Sequence, residues 1–256
     1  MKLTAISDEI GNNVNEIIDA LITNDLHYVE LRKIDNKRLT EYTYNELDNI
    51  YKRFKKNGIR VSCIDTNIGK KENAFDEKRN ESLIIEYLSI AKIFRCKYIR
   101  IFSDISNIKS FDSIERKLGK YSSLAKEYGI VVLVENEKNT MLINPVQINW
   151  AQFDNIKLLF DNENCEYYNL DSVQILQEVT ANVRYIHLRD CCRKTGQYTY
   201  LTKGDLRIQE LVNVLHTNKF KGFVCLESLL PLYIHDKSKS EILADNLQYL
   251  LKLVNL

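Results

Sequence analysis

Proline and glycine are scarce, two and eight residues in a chain of 256. That rules out Pro- or Gly-rich linkers, and no composition shift separates one part of the chain from another, so a single domain over residues 1–256 is the expectation. No apolar run approaches the ~20 residues of a membrane span. Met1-Lys2 leads straight into a strand pattern with no apolar targeting segment. An unexported, cytoplasmic protein that stays off membranes is expected. Net charge is nearly absent: 36 Lys and Arg against 35 Asp and Glu leave +1, with no broad basic field to attract nucleic acid or anionic lipid. The six cysteines show no C-x-x-C spacing, and Cys63 and Cys225 fall inside apolar strand patterns, where a thiol is a small hydrophobe suited to a reducing compartment. Adjacent Cys191 and Cys192 could hold a soft metal, but oxygen donors dominate nearby and disfavour that reading. Ile6-Ser7-Asp8-Glu9-Ile10-Gly11 follows the first strand with one glycine and no G-x-G-x-x-G, and no P-loop occurs, which argues against a dinucleotide or nucleotide fold.

What is present is an alternation. Short apolar runs at about 3–7, 27–31, 59–64, 97–102, 130–135, 157–161, 183–189 and 222–227 read as strands. Segments with helical periodicity follow them at roughly 13–23, 43–56, 78–95, 110–128, 143–153, 169–180, 207–217 and 239–254. The few glycines punctuate this rhythm, as in Lys56-Asn57-Gly58-Ile59, Glu127-Tyr128-Gly129-Ile130 and Phe220-Lys221-Gly222-Phe223. Eight βα units demand a parallel sheet, either doubly wound or closed. Strand count and length select a single α/β domain of the (β/α)8 TIM-barrel class, for which ~250 residues is typical.

Four of the strands become polar only at their ends. Val131-Val132-Leu133-Val134-Glu135, Lys157-Leu158-Leu159-Phe160-Asp161 and Phe223-Val224-Cys225-Leu226-Glu227 each finish in a carboxylate, and Val183 to Asp190 runs through His187 and Arg189. In a barrel those ends converge on one mouth. One imidazole and three carboxylates make a divalent-metal set, with Mn²⁺ the first expectation and Mg²⁺, Co²⁺ or Zn²⁺ as alternatives. Taken singly, a strand-end Asp can merely cap a helix and a strand His can be a satisfied core residue. The successive separations, 161−135 = 26, 187−161 = 26 and 227−187 = 40, match one βα unit, another, and a third with a long loop. Long loops after the third, seventh and eighth strands (residues 65–76, 190–206 and 228–237) are the expected walls of a binding site.

In order and register these motifs resemble the xylose-isomerase-like TIM-barrel superfamily, of the sugar phosphate isomerase/epimerase and inosose-dehydratase type. Tyr28-Val29-Glu30-Leu31-Arg32, Val134-Glu135-Asn136, Phe160-Asp161 with Asn164, His187-Leu188-Arg189-Asp190, Leu226-Glu227 and Lys203-Gly204-Asp205-Leu206 carry the likeness along essentially the whole chain. The resemblance implies that Glu135, Asp161, His187 and Glu227 are metal ligands, with Glu135 and Glu227 also serving as the acid/base pair. It implies isomerisation or epimerisation of a sugar or sugar phosphate by proton transfer through an enediolate. A dehydratase acting on an inosose-like cyclitol starts with the same step and is the alternative. Arg189, Arg100, Glu30 and Asn164 are the candidate substrate contacts. For Glu30 a hydrogen bond supporting a metal ligand, or an ion pair with Arg32, is a competing role. A nuclease of the same fold needs several histidines, and of His27, His187, His216 and His235 only His187 fits. A barrel that merely binds ligand is the non-enzymatic alternative. The partner expected is a small sugar or cyclitol, with Tyr233 and its loop as a place where a second copy could pack into a homo-oligomer.

Overall fold

Eight parallel strands close into a barrel in the computed structural model, which describes residues 1–70, 77–103 and 111–254. They are β1 (Lys2–Ile6), β2 (Tyr28–Leu31), β3 (Arg60–Asp65), β4 (Tyr98–Phe102), β5 (Val131–Glu135), β6 (Ile156–Asp161), β7 (Val183–Leu188) and β10 (Phe223–Leu226), each hydrogen-bonded to the next, with β10 closing on β1. Around them lie α2 (Val14–Thr23), α3 (Tyr44–Lys56), α4 (Glu77–Ile93), α5 (Phe111–Tyr128), α7 (Ser172–Val179), α8 (Ile208–Thr217) and α9 (Lys239–Val254). The expected barrel is therefore present, with strand bounds within about two residues of the sequence reading.

Alternation along each strand sorts side chains to two cores. Tyr185 and His187 of β7 point into the barrel, while Ile186 and Leu188 pack outward against the helices. Ile6, Cys63, Leu133, Leu159, Tyr185, Phe223 and Cys225 form the inner core. Each fully buried large apolar side chain contributes roughly 1.5–3 kcal/mol by area. Above this plug the strand ends carry the ionisable groups, with the buried Phe102 among them, its ring centroid 4.1 Å from the Arg100 guanidinium.

Three features differ from the expected helices. Residues 143–153 form no α-helix: three 3-10 turns occupy Met141–Ile143, Pro145–Gln147 and Trp150–Gln152. The Pro145 carbonyl accepts from the Trp150 indole at 2.9 Å, while the Asn149 amide that an α-helix would direct to it goes to Glu115 Oε1 at 3.2 Å. Two short helices, α1 (Ser7–Ile10) and α6 (Asn162–Tyr167), begin directly at strand ends. Within the seventh loop, β8 (Asp190–Cys191) pairs with β9 (Tyr198–Thr199) in a small antiparallel ribbon. The loop expected over 65–76 lies partly outside the described residues, at 71–76.

Candidate metal centre

The register of the barrel sets the site. Asp161 lies opposite His187 across β6 and β7, and Glu135 ends β5 beside them. Glu227 follows β10 by one residue. Glu135, Asp161, His187 and Glu227, all buried, each offer one donor atom within 4.8 Å of the other three. His187 Nδ1 stands 2.9 Å from Glu227 Oε2 and 3.7 Å from Glu135 Oε1. Donors around a cation at about 2.0–2.3 Å are separated by about 3–4 Å, so this spacing suits a divalent ion.

Two buried atoms support that fit. His187 Nδ1 and Glu227 Oε2 face each other, yet among the described residues neither makes an aligned hydrogen bond. Buried polar atoms are normally paired, and a shared cation would satisfy both.

The other imidazole nitrogen is held from behind. Nε2 of His187 lies 2.9 and 3.1 Å from the two oxygens of Glu30, a fully buried carboxylate. That contact aims Nδ1 at the carboxylates. Glu30 thus sits behind His187 and turns away from both the open mouth and Arg32.

Each of the two glutamates is gripped on its far side by an arginine. Arg100 Nε approaches Glu135 Oε2 at 3.3 Å and Asp65 Oδ1 at 3.0 Å. Arg32 donates from NH1 to Glu227 Oε1 at 3.1 Å, from Nε to Asp8 Oδ1 at 2.9 Å, and from NH2 to Glu9 Oε1 at 3.1 Å. Asp8 and Glu9 come from α1, a four-residue helix too short to show a period in the sequence. Arg189 lies over the cluster: NH2 contacts Asp161 Oδ2 and, at 3.4 Å, Glu163 Oε2, and NH1 is 3.5 Å from Glu227 Oε2. Asn164 is brought there too, its Oδ1 3.4 Å from Arg189 and its Nδ2 buried with no hydrogen-bond partner among the described residues.

Asp161 has two functions at once. Oδ1 accepts from the Asn164 amide at 3.0 Å and caps α6, while Oδ2 faces the cluster. Two asparagines fix this geometry. Asn136 exchanges hydrogen bonds with the Asp161 backbone at 2.7 and 2.9 Å, and Asn162 does the same with Arg189 at 2.9 and 3.1 Å. Each extends the ladder one residue beyond the strand. The signal was in the sequence: both asparagines directly follow a strand-end acid.

Burial and charge split the acids. Burial alone would raise Glu30, but the His187 imidazolium outweighs it and holds Glu30 at about 2. Glu227 is likewise held well down against burial by Arg189 and His187. Asp161 is pushed up to about 8 by burial beside Glu227 and Glu135, despite Arg189. Asp65 rises to about 7 by burial and its Glu30 neighbour, despite Arg100. His187 resists burial and stays protonated well above its usual range because Glu30 and Glu227 flank it.

In the seventh loop Asp190 accepts from the amides of Cys191, Gly204 and Leu206 at 2.9, 3.0 and 3.1 Å. A Cβ at Gly204 would lie 2.4 Å from Asp190 Oδ1, which explains the glycine of the Lys203-Gly204-Asp205-Leu206 turn.

The model of the xylose isomerase-like TIM barrel family matches residues 18–253. In sequence, an inosose dehydratase from Clostridium perfringens (strain 13 / Type A) is 22% identical over 157 residues, covering 53% of this chain and 51% of that protein. The chain's match thus spans about half the length of the curated relative. Among solved structures, an IOLI protein with a binding zinc atom has a TM-score of 0.81 at 16% identity, covering 100% of this chain and 98% of that one. An L-ribulose 3-epimerase has a TM-score of 0.78 at 13% identity, covering 100% and 95%. At such identities the structural likeness is one of fold.

Proposed function

The chain belongs to the xylose isomerase-like TIM barrel family, and from that premise we propose that it is a divalent-metal-dependent isomerase or epimerase of a sugar or sugar phosphate. The observation that carries this reading is the buried set Glu135, Asp161, His187 and Glu227, with donor atoms within 4.8 Å of one another at the end of the barrel where the strand ends converge. Mn²⁺ is the first expectation for the ion, and Mg²⁺, Co²⁺ or Zn²⁺ would suit the same donors. When bound, such a cation would polarise a substrate carbonyl and the hydroxyl beside it.

The remaining work falls to the protein's own groups. Glu135 and Glu227 each present one oxygen toward His187 Nδ1 and give the other to an arginine, Arg100 or Arg32. Two carboxylates fixed in this way can take a proton from the carbon next to the carbonyl and return it, through an enediolate of the substrate. Both are held ionised, Glu135 below its usual range against burial by Arg100 and His187. The role of base is therefore open to either. Arg189 and the unpartnered Asn164 Nδ2 would hold substrate hydroxyls. Glu30 supports His187, and Arg100 orients Glu135; neither is proposed to touch substrate.

Turnover in D₂O tests the proton step. Solvent deuterium should appear at the reacting carbon, and Glu135→Gln and Glu227→Gln should each lower kcat by ~10²–10⁴-fold. Full activity in either variant would remove that glutamate from the acid/base pair. A second reading, dehydration of an inosose-like cyclitol, is favoured by the inosose dehydratase likeness. Mass spectrometry decides between them: loss of one water is dehydration, and unchanged product mass in H₂O is isomerisation or epimerisation.

A further inference from the structure

The amino-terminal end of the barrel, opposite the metal centre, holds a recess of about 700 Å³. Tyr28, Tyr98 and Phe223 form its aromatic floor, with Tyr28 and Tyr98 set edge-on to Phe223 at 5.1 and 6.2 Å between centroids. Its wall carries six cations, Lys2, Lys55, Arg60, Arg95, Lys97 and Lys221, and no carboxylate. Among the described residues none of the six takes part in an ion pair. Lys2 Nζ instead lies 5.2 Å from the Phe223 ring centroid, and the Arg95 guanidinium 5.7 Å from that of Tyr51.

The contrast with the other mouth is sharp: there Arg32, Arg100 and Arg189 each meet at least two carboxylates. Helix-dipole compensation explains only part of the group: Lys55 lies in the last turn of α3 and Arg95 two residues beyond the end of α4, whereas Lys2 and Arg60 belong to strands. A second recess, which shares Tyr98 and Lys221 with the first, adds Arg184 and Lys219. Like charges gathered without counter-charge oppose folding. An overall charge of +1 conceals this segregation.

We propose that this recess is a binding site for a small phosphate-bearing anion, separate from the metal centre. Its volume falls in the range of small-molecule sites, about 300–1,000 Å³. All six are exposed side chains that line one recess, and ammonium and guanidinium groups are the donors that phosphate oxygens take.

Calorimetry of the full chain at low ionic strength, titrated with inorganic pyrophosphate and in parallel with sulfate, tests the proposal. Saturable binding of one anion is expected. Affinity should fall at least ~10-fold in Arg60→Gln/Lys97→Gln and, independently, in Lys2→Gln/Lys221→Gln, while Lys120→Gln on the outer helices leaves it unchanged. Both double variants should melt at higher temperature than the parent without anion, because repulsion is relieved, and should lose the parent's stabilisation by sulfate. Absence of saturable heat would overturn the site. Heat that persists unchanged in both double variants would also overturn it, since the anion then binds the metal or the opposite mouth. Variant-sensitive binding of duplex DNA without binding of pyrophosphate would replace the site with an extended polyanion surface.

Discussion

At the scale of single residues the centre works by pairing each acid with a defined opponent. Arg32 is the least obvious member: it holds Glu227 Oε1 at 3.1 Å while anchored to Asp8 and Glu9. Arg32→Gln should therefore lower kcat more than it raises KM, and should shift the acid limb of the kcat/KM profile to higher pH, because one of the cations depressing Glu227 is gone. Arg32→Lys should restore the limb in part. An unchanged pH profile would reduce Arg32 to a surface ion pair. Asp65 gives a test by stability. Its folded-state value is raised from 3.8 to about 7, so its contribution is full below about 3.8 and is lost as pH rises through about 7. Asp65→Asn should flatten that part of the loss. Urea unfolding of metal-free protein at pH 5 and pH 7.5 reads it: a slope equal to that of the parent would show that Asp65 does not titrate as described.

At the scale of elements, the barrel strands were legible because their runs are apolar and end in Gly-marked turns. The four residues proposed to hold a metal stand out in the sequence because they occupy equivalent strand ends, and the structure brings them together. The stretch 143–153 departs from the helix its Ile143, Val146 and Trp150 suggest, because the Pro145 carbonyl and the Asn149 amide bond to the Trp150 indole and to Glu115 instead of to each other. The short helices α1 and α6 were invisible for a different reason, since a helix of 4 or 6 residues carries too few turns to show a period. What holds the strand ends in place was also missed, because it lies in side-chain hydrogen bonds between residues 25 and 27 positions apart. Asn162 is the cleanest case. Its amide exchanges two buried hydrogen bonds with the backbone of Arg189, and Asn162→Ala would leave that N–H and C=O unpaired. A loss of about 1–3 kcal/mol is expected, with activity reduced as Arg189 drifts. Unfolding measurements within a few tenths of a kcal/mol of the parent would mean that water replaces the amide freely.

At the scale of the whole molecule the two mouths differ in charge: at one, carboxylates are interleaved with arginines, and at the other, cations that form no ion pair among the described residues line a recess. Only closure of the sheet makes this possible, since the four donors come from or just beyond β5, β6, β7 and β10 and share no local segment. A cation bound there would tie the ends of these four strands together, so its binding free energy would add to folding stability. At a free metal concentration of 100 times Kd the gain is about 2.7 kcal/mol, which for a domain of this size is a rise in Tm of roughly 5–10 °C. The rise should also depend on pH. Asp161 is raised to about 8 and His187 well above its usual range in the metal-free protein, so both carry protons at neutral pH that a metal must displace. The stabilisation by Mn²⁺ should therefore grow from pH 6 to pH 8, and binding at pH 7 should release on the order of two protons, measured from the dependence of calorimetric heat on buffer ionisation. His187→Ala should abolish most of the Tm rise. A rise that is identical at pH 6 and pH 8, or retained in that variant, would place the bound ion somewhere other than among these four side chains.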